Sequence, residues 1–404
     1  MKIKNIEEAA KRIKSAVKAG EQIIIFADSD MDGVSSAVIL KETIDNLISS
    51  LSLKDKEKYP GVPAFFPDRK NEGYGLNEKA LEFIKEKFNP KGKEKAGLLI
   101  TLDCGITNFE EIKNARQFGF EVIIIDHHTP VSGQLPEADL IVDPKQPEDN
   151  FLFKEYCNAG LVFKLAGEIL KEKMSGMLRE VLLELTALAT IADMMIEEDE
   201  NRDFIFEGLI NIEKSNRPSL RALVEVLGKD NFPSKRDLVS KINGILNSSK
   251  MENHVMLVYA YLIEPDFEKA KKMAKEFIVE NENRQKEIIS LTDNLKYIIG
   301  EDNLLPVIFQ GSSQYNIEFL GAVASRLTNY YNKPVFLYQK YDDFSRGTVR
   351  LPKGLNAVKA MESCKDLLRT FGGHPAAAGF TVKNENLELF RDALFKYFHN
   401  LNLK

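Results

Sequence analysis

Short apolar runs alternate with amphipathic stretches through the first half of the chain. QIIIFAD (residues 22–28) is followed by SSAVILKETIDNLISS (35–50), and AGLLITLDCG (96–105) by NFEEIKNARQFG (108–119). FEVIIIDHH (120–128) and ADLIVDP (138–144) continue the alternation. Buried apolar runs joined by helical crossovers are the mark of a parallel, doubly wound sheet. From residue 155 to 215 the period turns helical, centred on VLLELTALATIADMM. Residues 266–299 hold neither glycine nor proline and are rich in good helix formers, which predicts one long helix. Beyond it LLPVIFQ, KPVFLYQ and GTVRL read as strands, with a helix over EFLGAVASRLTNYY. The expected fold is α/β. A doubly wound parallel-sheet domain would span residues 1–215, a helical connector with a long interdomain helix 216–299, and a smaller α/β domain 300–404.

Length and composition fit this division. A chain of 404 residues with 44% hydrophobic positions exceeds one ordinary core. Its longest apolar runs fall far short of the ~20 residues a membrane span needs, so no membrane partner is expected. Three cysteines without metal-type spacing point to a reducing compartment, and the expected location is cytoplasmic. The net charge of −6 argues against a generally basic coat, yet segment 340–369 carries seven Lys/Arg against four acids. A local basic surface is compatible with an acidic whole.

The candidate chemistry sits at the ends of the apolar runs. DSDMDG puts Asp28, Asp30 and Asp32 on alternate positions before Gly33. A calcium EF-hand loop would need a glutamate at its twelfth position, where Ile39 stands, and a helix rather than a strand before it. A dinucleotide site would need a glycine-rich turn in place of three acids. Other runs end in the same way: Asp103 closes GLLITLD, Asp126, His127 and His128 close VIIID, and Asp193 follows TALATIA. Each residue alone reads as a helix cap or a solvated turn. Together, hard carboxylates with one or two imidazoles suit Mn²⁺, Mg²⁺ or Zn²⁺, and their number suits two ions of the kind used in phosphoester hydrolysis. Adjacent residues of an extended chain point opposite ways, so His127 and His128 should have different tasks.

DSDMDG, LDCG, DHH and ATIADMM resemble the successive motifs of the DHH phosphoesterase superfamily. FGGHPAAAGF (371–380) resembles the GGH motif of the associated DHHA1 domain. Within the superfamily the chain is most similar to the RecJ branch of single-strand exonucleases, through PDRKNEGYGLN (67–77), LPEADLIVDPKQ (135–146), NRDFIFEGL (201–209) and NENRQKEI (281–288). The resemblance implies two divalent cations, Mn²⁺ first and Mg²⁺ second. Asp28 and Asp30 would hold one, Asp103 would bridge both, and Asp32, His127 and Asp193 would complete the second. His128 would contact the scissile phosphate, with Asp126 orienting a histidine. Arg69, Lys241, Thr348, Arg350, Gly372, Gly373 and His374 would bind substrate, the glycines in a loop whose N–H groups cradle phosphate.

Two departures stand out. SKINGILNSSK (240–250) replaces a P-R-I-N-A-x-G-R-like stretch, with Lys241 and Asn247 where arginines are expected, and GTVRL keeps Arg350 but loses a final serine. No OB-type domain is visible, so a core-only form is expected. The activity implied is metal-dependent hydrolysis of single-stranded DNA, in preference to RNA, in the 5′→3′ direction, with replication or repair proteins as partners. Two alternatives share the resemblance. One is an oligonucleotide (nanoRNase) or cyclic-dinucleotide phosphodiesterase; the other is a non-catalytic scaffold of the Cdc45 type.

Overall fold

The computed structural model of the chain describes residues 2–51, 59–69, 72–73, 75–92, 94–247, 250–301, 305–373 and 375–401. They form two compact units, residues 1–279 and 280–404. None of their helices is long and apolar enough to cross a membrane.

The first unit is built on five parallel strands: β1 (Ile23–Ala27), β2 (Ala64–Phe65), β3 (Gly97–Leu102), β4 (Phe120–Ile125) and β5 (Leu140–Val142). Their order is β2-β1-β3-β4-β5. The chain leaves β1 to one side for β2 and then returns to the other for β3. That reversal is a topological switch point, and the crevice it opens lies at the carboxyl ends of the strands. The strands β1 and β3 are buried throughout, and apolar but for Thr101, because both sheet faces are covered. Ile23, Ile25, Leu98 and Ile100 join one core, with helices Met31–Ser49, Asn158–Leu170 and Gly176–Ala192. Ile24, Phe26, Leu99 and Ile124 join the other. Helices Pro218–Leu227, Lys235–Leu246 and Leu257–Leu262 also pack into the first core, through Leu220, Leu223, Ile242 and Tyr261. A two-residue turn joins the short antiparallel strands β6 (Met251–Glu252) and β7 (Val255–Met256).

The long glycine-free stretch is one helix, Phe267–Ile299. Ala270, Ala274 and Phe277 belong to the first unit's core, whereas Ile288 and Leu295 belong to a core of the second.

The second unit is a mixed sheet of β8 (Ile308–Ser312), β9 (Val335–Lys340), β10 (Phe344–Arg350), β11 (Leu368–Gly373) and β12 (Ala377–Lys383). Its order is β11-β12-β10-β9-β8, with only β8 and β9 parallel. The stretch FGGHPAAAGF differs from the expected loop. Gly372 and Gly373 lie in β11, paired with Gly379 and Ala378 of β12. Small residues on both strands carry the ladder almost to the tip of the hairpin, and Gly373 holds it at φ 135°, where a Cβ would stand 2.6 Å from the Ala377 carbonyl oxygen.

Candidate metal centre

Strand register assembles the site. Ala27 pairs with Leu102, Leu102 with Ile125, and Ile125 with Val142. The next residue on each of the four strands is an aspartate: Asp28, Asp103, Asp126 and Asp143. They stand abreast, tied by hydrogen bonds from Asp28 N to Leu102 O, Asp103 N to Ile125 O and Asp126 N to Val142 O. Sequence reasoning missed Asp143, although its offset from the end of ADLIV matches the others. It is fully buried, its Oδ2 has no hydrogen-bond partner, and burial pushes its pKa up to about 7.

The helix after β1 delivers two more carboxylates. Asp30 caps helix Met31–Ser49, its Oδ1 accepting from the N–H groups of Asp32 and Gly33 at 3.1 Å each. Its Oδ2 accepts from Arg69 Nη2 at 3.0 Å. Gly33 is required by packing: a Cβ there would stand 2.1 Å from the Asp28 carbonyl oxygen. Asp32 is buried against the start of helix Asn158–Leu170 and accepts from the N–H groups of Asn158 at 2.6 Å and Ala159 at 2.7 Å. The orphan donors of a helix N-terminus thus hold an anion that has no cationic side chain beside it. Asp193 caps the far end of helix Gly176–Ala192.

The side chains converge in three groups, in each of which the ligand atoms lie within 4.8 Å of one another: Asp28, Asp30 and Asp103; Asp32, His127 and Asp193; and Asp103, His127 and His128. The His127 Nδ1 faces the Tyr156 carbonyl at 2.9 Å. A carbonyl only accepts, so Nδ1 carries the proton, and burial lowers the His127 pKa to about 3, leaving the ring neutral. Its Nε2 therefore turns a lone pair toward Asp103 Oδ1 at 3.2 Å, Asp193 Oδ2 at 3.8 Å and Asp32 Oδ2 at 3.9 Å. Lone pairs facing lone pairs repel unless a proton or a cation lies among them. Asp103 carries the same message: it is 3% exposed, its Oδ1 has no hydrogen-bond partner, and its backbone is left-handed at φ 59°. Burial, and then the neighbouring carboxylates, push Asp103 and Asp32 well above the usual carboxylate range. Burial raises Asp193 to about 7, with Asp30 adding to the effect. Oxygen donors with one imidazole and a surplus of buried negative charge fit hard or borderline divalent ions.

The family model for the DHH family, N-terminal domain, matches residues 22–190, and that for the DHHA1 domain matches residues 305–400. The chain carries a DHH domain followed by a DHHA1 domain. It is 34% identical over 400 residues to the single-stranded-DNA-specific exonuclease RecJ of Bacillus subtilis, covering 97% of this chain and 47% of that protein. Among solved structures, exonuclease RecJ bound to manganese matches with a TM-score of 0.78 and 29% identity, covering 99% of this chain and 95% of that one. RecJ of Thermus thermophilus in complex with Mn²⁺ matches with a TM-score of 0.81 and 27% identity, over 99% and 55%. The chain spans about half the length of the first two curated relatives.

In the DHH domain, His127 and His128 divide as the extended chain requires. His128 turns its Nδ1 to Asp126 Oδ1 at 2.7 Å. Burial alone would lower its pKa, but the Asp126 carboxylate outweighs that and raises it to about 9. Asp126 falls to about 2: burial opposes ionisation, and His128 with the N–H of Ile106 overcomes it. Asp126 is thus saturated by hydrogen bonds and stands in none of the three ligand groups. Arg69 lies on Asp28 and Asp30, and Lys241 is half-exposed on helix Lys235–Leu246, outside those groups. Thr348 and Arg350 share one face of β10 in the DHHA1 domain, where Arg350 Nη1 donates to Thr348 Oγ1 at 2.9 Å. Gly372 and Gly373 are exposed in β11, and His374 lies outside the described residues.

Sequence reasoning also missed the scaffold around these carboxylates. Besides the Tyr156 carbonyl and the helix start at Asn158, it includes the Asn158 amide, which in its satisfied orientation donates to Ile125 O and accepts from Ser36 and from Asp103 N–H. Backbone groups leave no trace in a sequence, but a lone polar Asn158 between Cys157 and Ala159 at the start of an apolar helix is a signal of a capped helix start aimed inward.

Proposed function

We propose that the chain is a metal-dependent phosphodiesterase, a RecJ-like exonuclease that hydrolyses single-stranded DNA from its 5′ end. The observation that carries the proposal is the bare His127 Nε2 facing the carboxylates of Asp103, Asp193 and Asp32, none of which accepts a hydrogen bond from a cationic side chain among the described residues. Asp28, Asp30 and Asp103 would hold one divalent ion, Mn²⁺ or Mg²⁺, and Asp32, His127 and Asp193 the other, with Asp103 shared. When bound, such ions lower the pKa of a shared water and neutralise charge on the phosphoryl oxygens. The protein holds the ligands at fixed height through strand register and the N–H groups of Asn158 and Ala159. Tyr156 keeps His127 in the tautomer that presents Nε2. His128, kept cationic by Asp126, suits contact with an anionic phosphoryl group.

Thr348, Arg350, Gly372, Gly373 and His374 of the DHHA1 domain, with Arg69 and Lys241, would grip the nucleic-acid backbone. Similarity to RecJ over nearly the whole chain favours DNA and supports a place in DNA repair. The test is an end-labelled degradation series with Mn²⁺ on matched DNA and RNA strands of graded length, bearing 5′-phosphate or 5′-hydroxyl ends. The expected result is Mn²⁺-dependent release of nucleotides from the 5′ end of long DNA. A strong preference for two to five nucleotides would replace this reading with an oligonucleotide phosphodiesterase. Absence of turnover with every divalent cation would replace it with a non-catalytic scaffold.

A further inference from the structure

One cation does stand in the first ligand group, and it belongs to the protein. The Arg69 guanidinium reaches across from the segment after β2 to the end of β1. Its Nε donates to Asp28 Oδ1 at 3.1 Å, and its Nη2 donates to Asp28 Oδ2 and, at 3.0 Å, to Asp30 Oδ2. It therefore uses both oxygens of Asp28 and the one oxygen of Asp30 that does not cap the helix. Asp28 and Asp30 are two of the three residues in the Asp28–Asp30–Asp103 group.

A guanidinium and a divalent ion on the same few oxygens would lie within several ångströms of each other. Their repulsion there is too large to leave the arginine in place.

We propose that Arg69 is the resident counter-cation of the first metal-ligand group, and that metal entry displaces it. The proposal rests on the metal assignment above for its competitor and deepens the role expected of Arg69. A guanidinium expelled from two carboxylates, still tethered beside them, is a planar fork left to pair with another anion. A phosphate oxygen pair of the nucleic acid matches it in charge and geometry. Metal loading and grip on the substrate phosphate would thereby be linked, because Arg69 cannot serve both Asp28 and a phosphate. Without metal the arginine shields the acids; with metal it turns to the substrate.

The test is a Mn²⁺ titration of the full chain without nucleic acid, followed by calorimetry and by the electron paramagnetic resonance of free Mn²⁺. The variants are Arg69→Gln, Arg69→Lys and Lys145→Gln. Lys145 adds positive charge near His127 and Asp193 without a hydrogen bond to Asp28 or Asp30, and so controls for long-range charge. Deleting a competitor that makes charge-assisted hydrogen bonds should tighten the first Mn²⁺ by about ten- to a hundredfold in Arg69→Gln. Arg69→Lys, a point charge without the fork, should fall between it and the wild type. Lys145→Gln should change the affinity by less than about threefold. The melting temperature gives a second readout: Arg69→Gln should melt below the wild type in chelator and no lower at saturating Mn²⁺.

Unchanged or weaker Mn²⁺ binding by Arg69→Gln would overturn the proposal, as would equal tightening by Lys145→Gln. Failure of the wild type to hydrolyse DNA while these titrations behave as expected would remove the exonuclease reading and leave the displacement standing.

Discussion

Asp103→Asn should make the metal-free protein more stable while abolishing its hydrolysis. In the Asp28–Asp30–Asp103 group the ligand atoms lie within 4.8 Å of one another. At that distance two unit charges repel by about 3.5 kcal/mol at an effective dielectric near 20. Asp103 faces two such neighbours, and Arg69 offsets only part of the sum, since it hydrogen-bonds Asp28 and Asp30 but not Asp103. Protonation relieves some of the remainder, so a gain of about 2 kcal/mol is expected from neutralising the side chain. The amide also has a partner waiting: its Nδ2 can donate to the His127 Nε2 lone pair, which now stands 3.2 Å from Asp103 Oδ1. Differential scanning calorimetry in chelator should show the melting temperature of the first unit rising by a few degrees. Added Mn²⁺ should invert the order, because the wild type gains binding energy that the variant lacks. A variant that melts below the wild type in chelator would show that the Asp103 carboxylate is satisfied without a cation, and the argument from its orphaned oxygen would fail.

Gly33→Ala should cost several kcal/mol and abolish Mn²⁺ binding, since the added methyl would meet the Asp28 carbonyl at 2.1 Å and push the end of β1 out of line; calorimetry with and without Mn²⁺ reads both effects. Burial pushes buried Glu184 up to about 7 from 4.5, against the opposing Ser215 hydroxyl and Arg217, so the folded state binds the extra proton and stability falls as pH rises through that window. Urea titrations should find Glu184→Gln more stable than the wild type by about 3 kcal/mol at pH 8 and no more stable near pH 4; a constant difference across that range would contradict the buried-proton account. His254 sits at φ 59° in the two-residue turn between β6 and β7, and its Nδ1 lies 3.1 Å from the Phe66 carbonyl. Equilibrium denaturation should place His254→Gly about 1 kcal/mol above His254→Ala, because only glycine escapes the left-handed cost, with both below the wild type, which keeps the ring contact.

The parallel sheet, the long helix and the acidic strand ends were legible because each rests on a local pattern. An apolar run of five or six residues with helical periods on either side admits few other readings, and a long stretch without glycine or proline extends a helix wherever the chain goes. The hairpin at FGGHPAAAGF was not legible in the same way. Glycine and alanine signal conformational freedom, and only the pairing of Gly372 with Gly379 shows that the freedom is spent on close strand contact. The partners of the carboxylates were invisible for a different reason: the N–H groups of Asn158 and Ala159 lie far along the chain from the Asp32 they hold, and any residue but proline could supply them.

Asp143 shows where the boundary between the two kinds of information runs. Its position after an apolar run is as plain in the sequence as that of Asp103, yet a single aspartate after a short run has an ordinary meaning as a turn residue. What changes the meaning is register: Val142 pairs with Ile125, which pairs with Leu102, which pairs with Ala27, so that one offset rule applied four times yields a row of aspartates across the sheet. Three of the four have assigned partners: Arg69 for Asp28, the two ligand groups for Asp103, and His128 for Asp126. Asp143 has a backbone donor for Oδ1 and none for Oδ2. Burial raises a carboxyl in that state to about 7, so below that pH it is neutral and leaves the Asp126–His128 pair its charge without adding another anion to the row. The row therefore works because its members differ in ionisation, and that difference follows from what each meets in space.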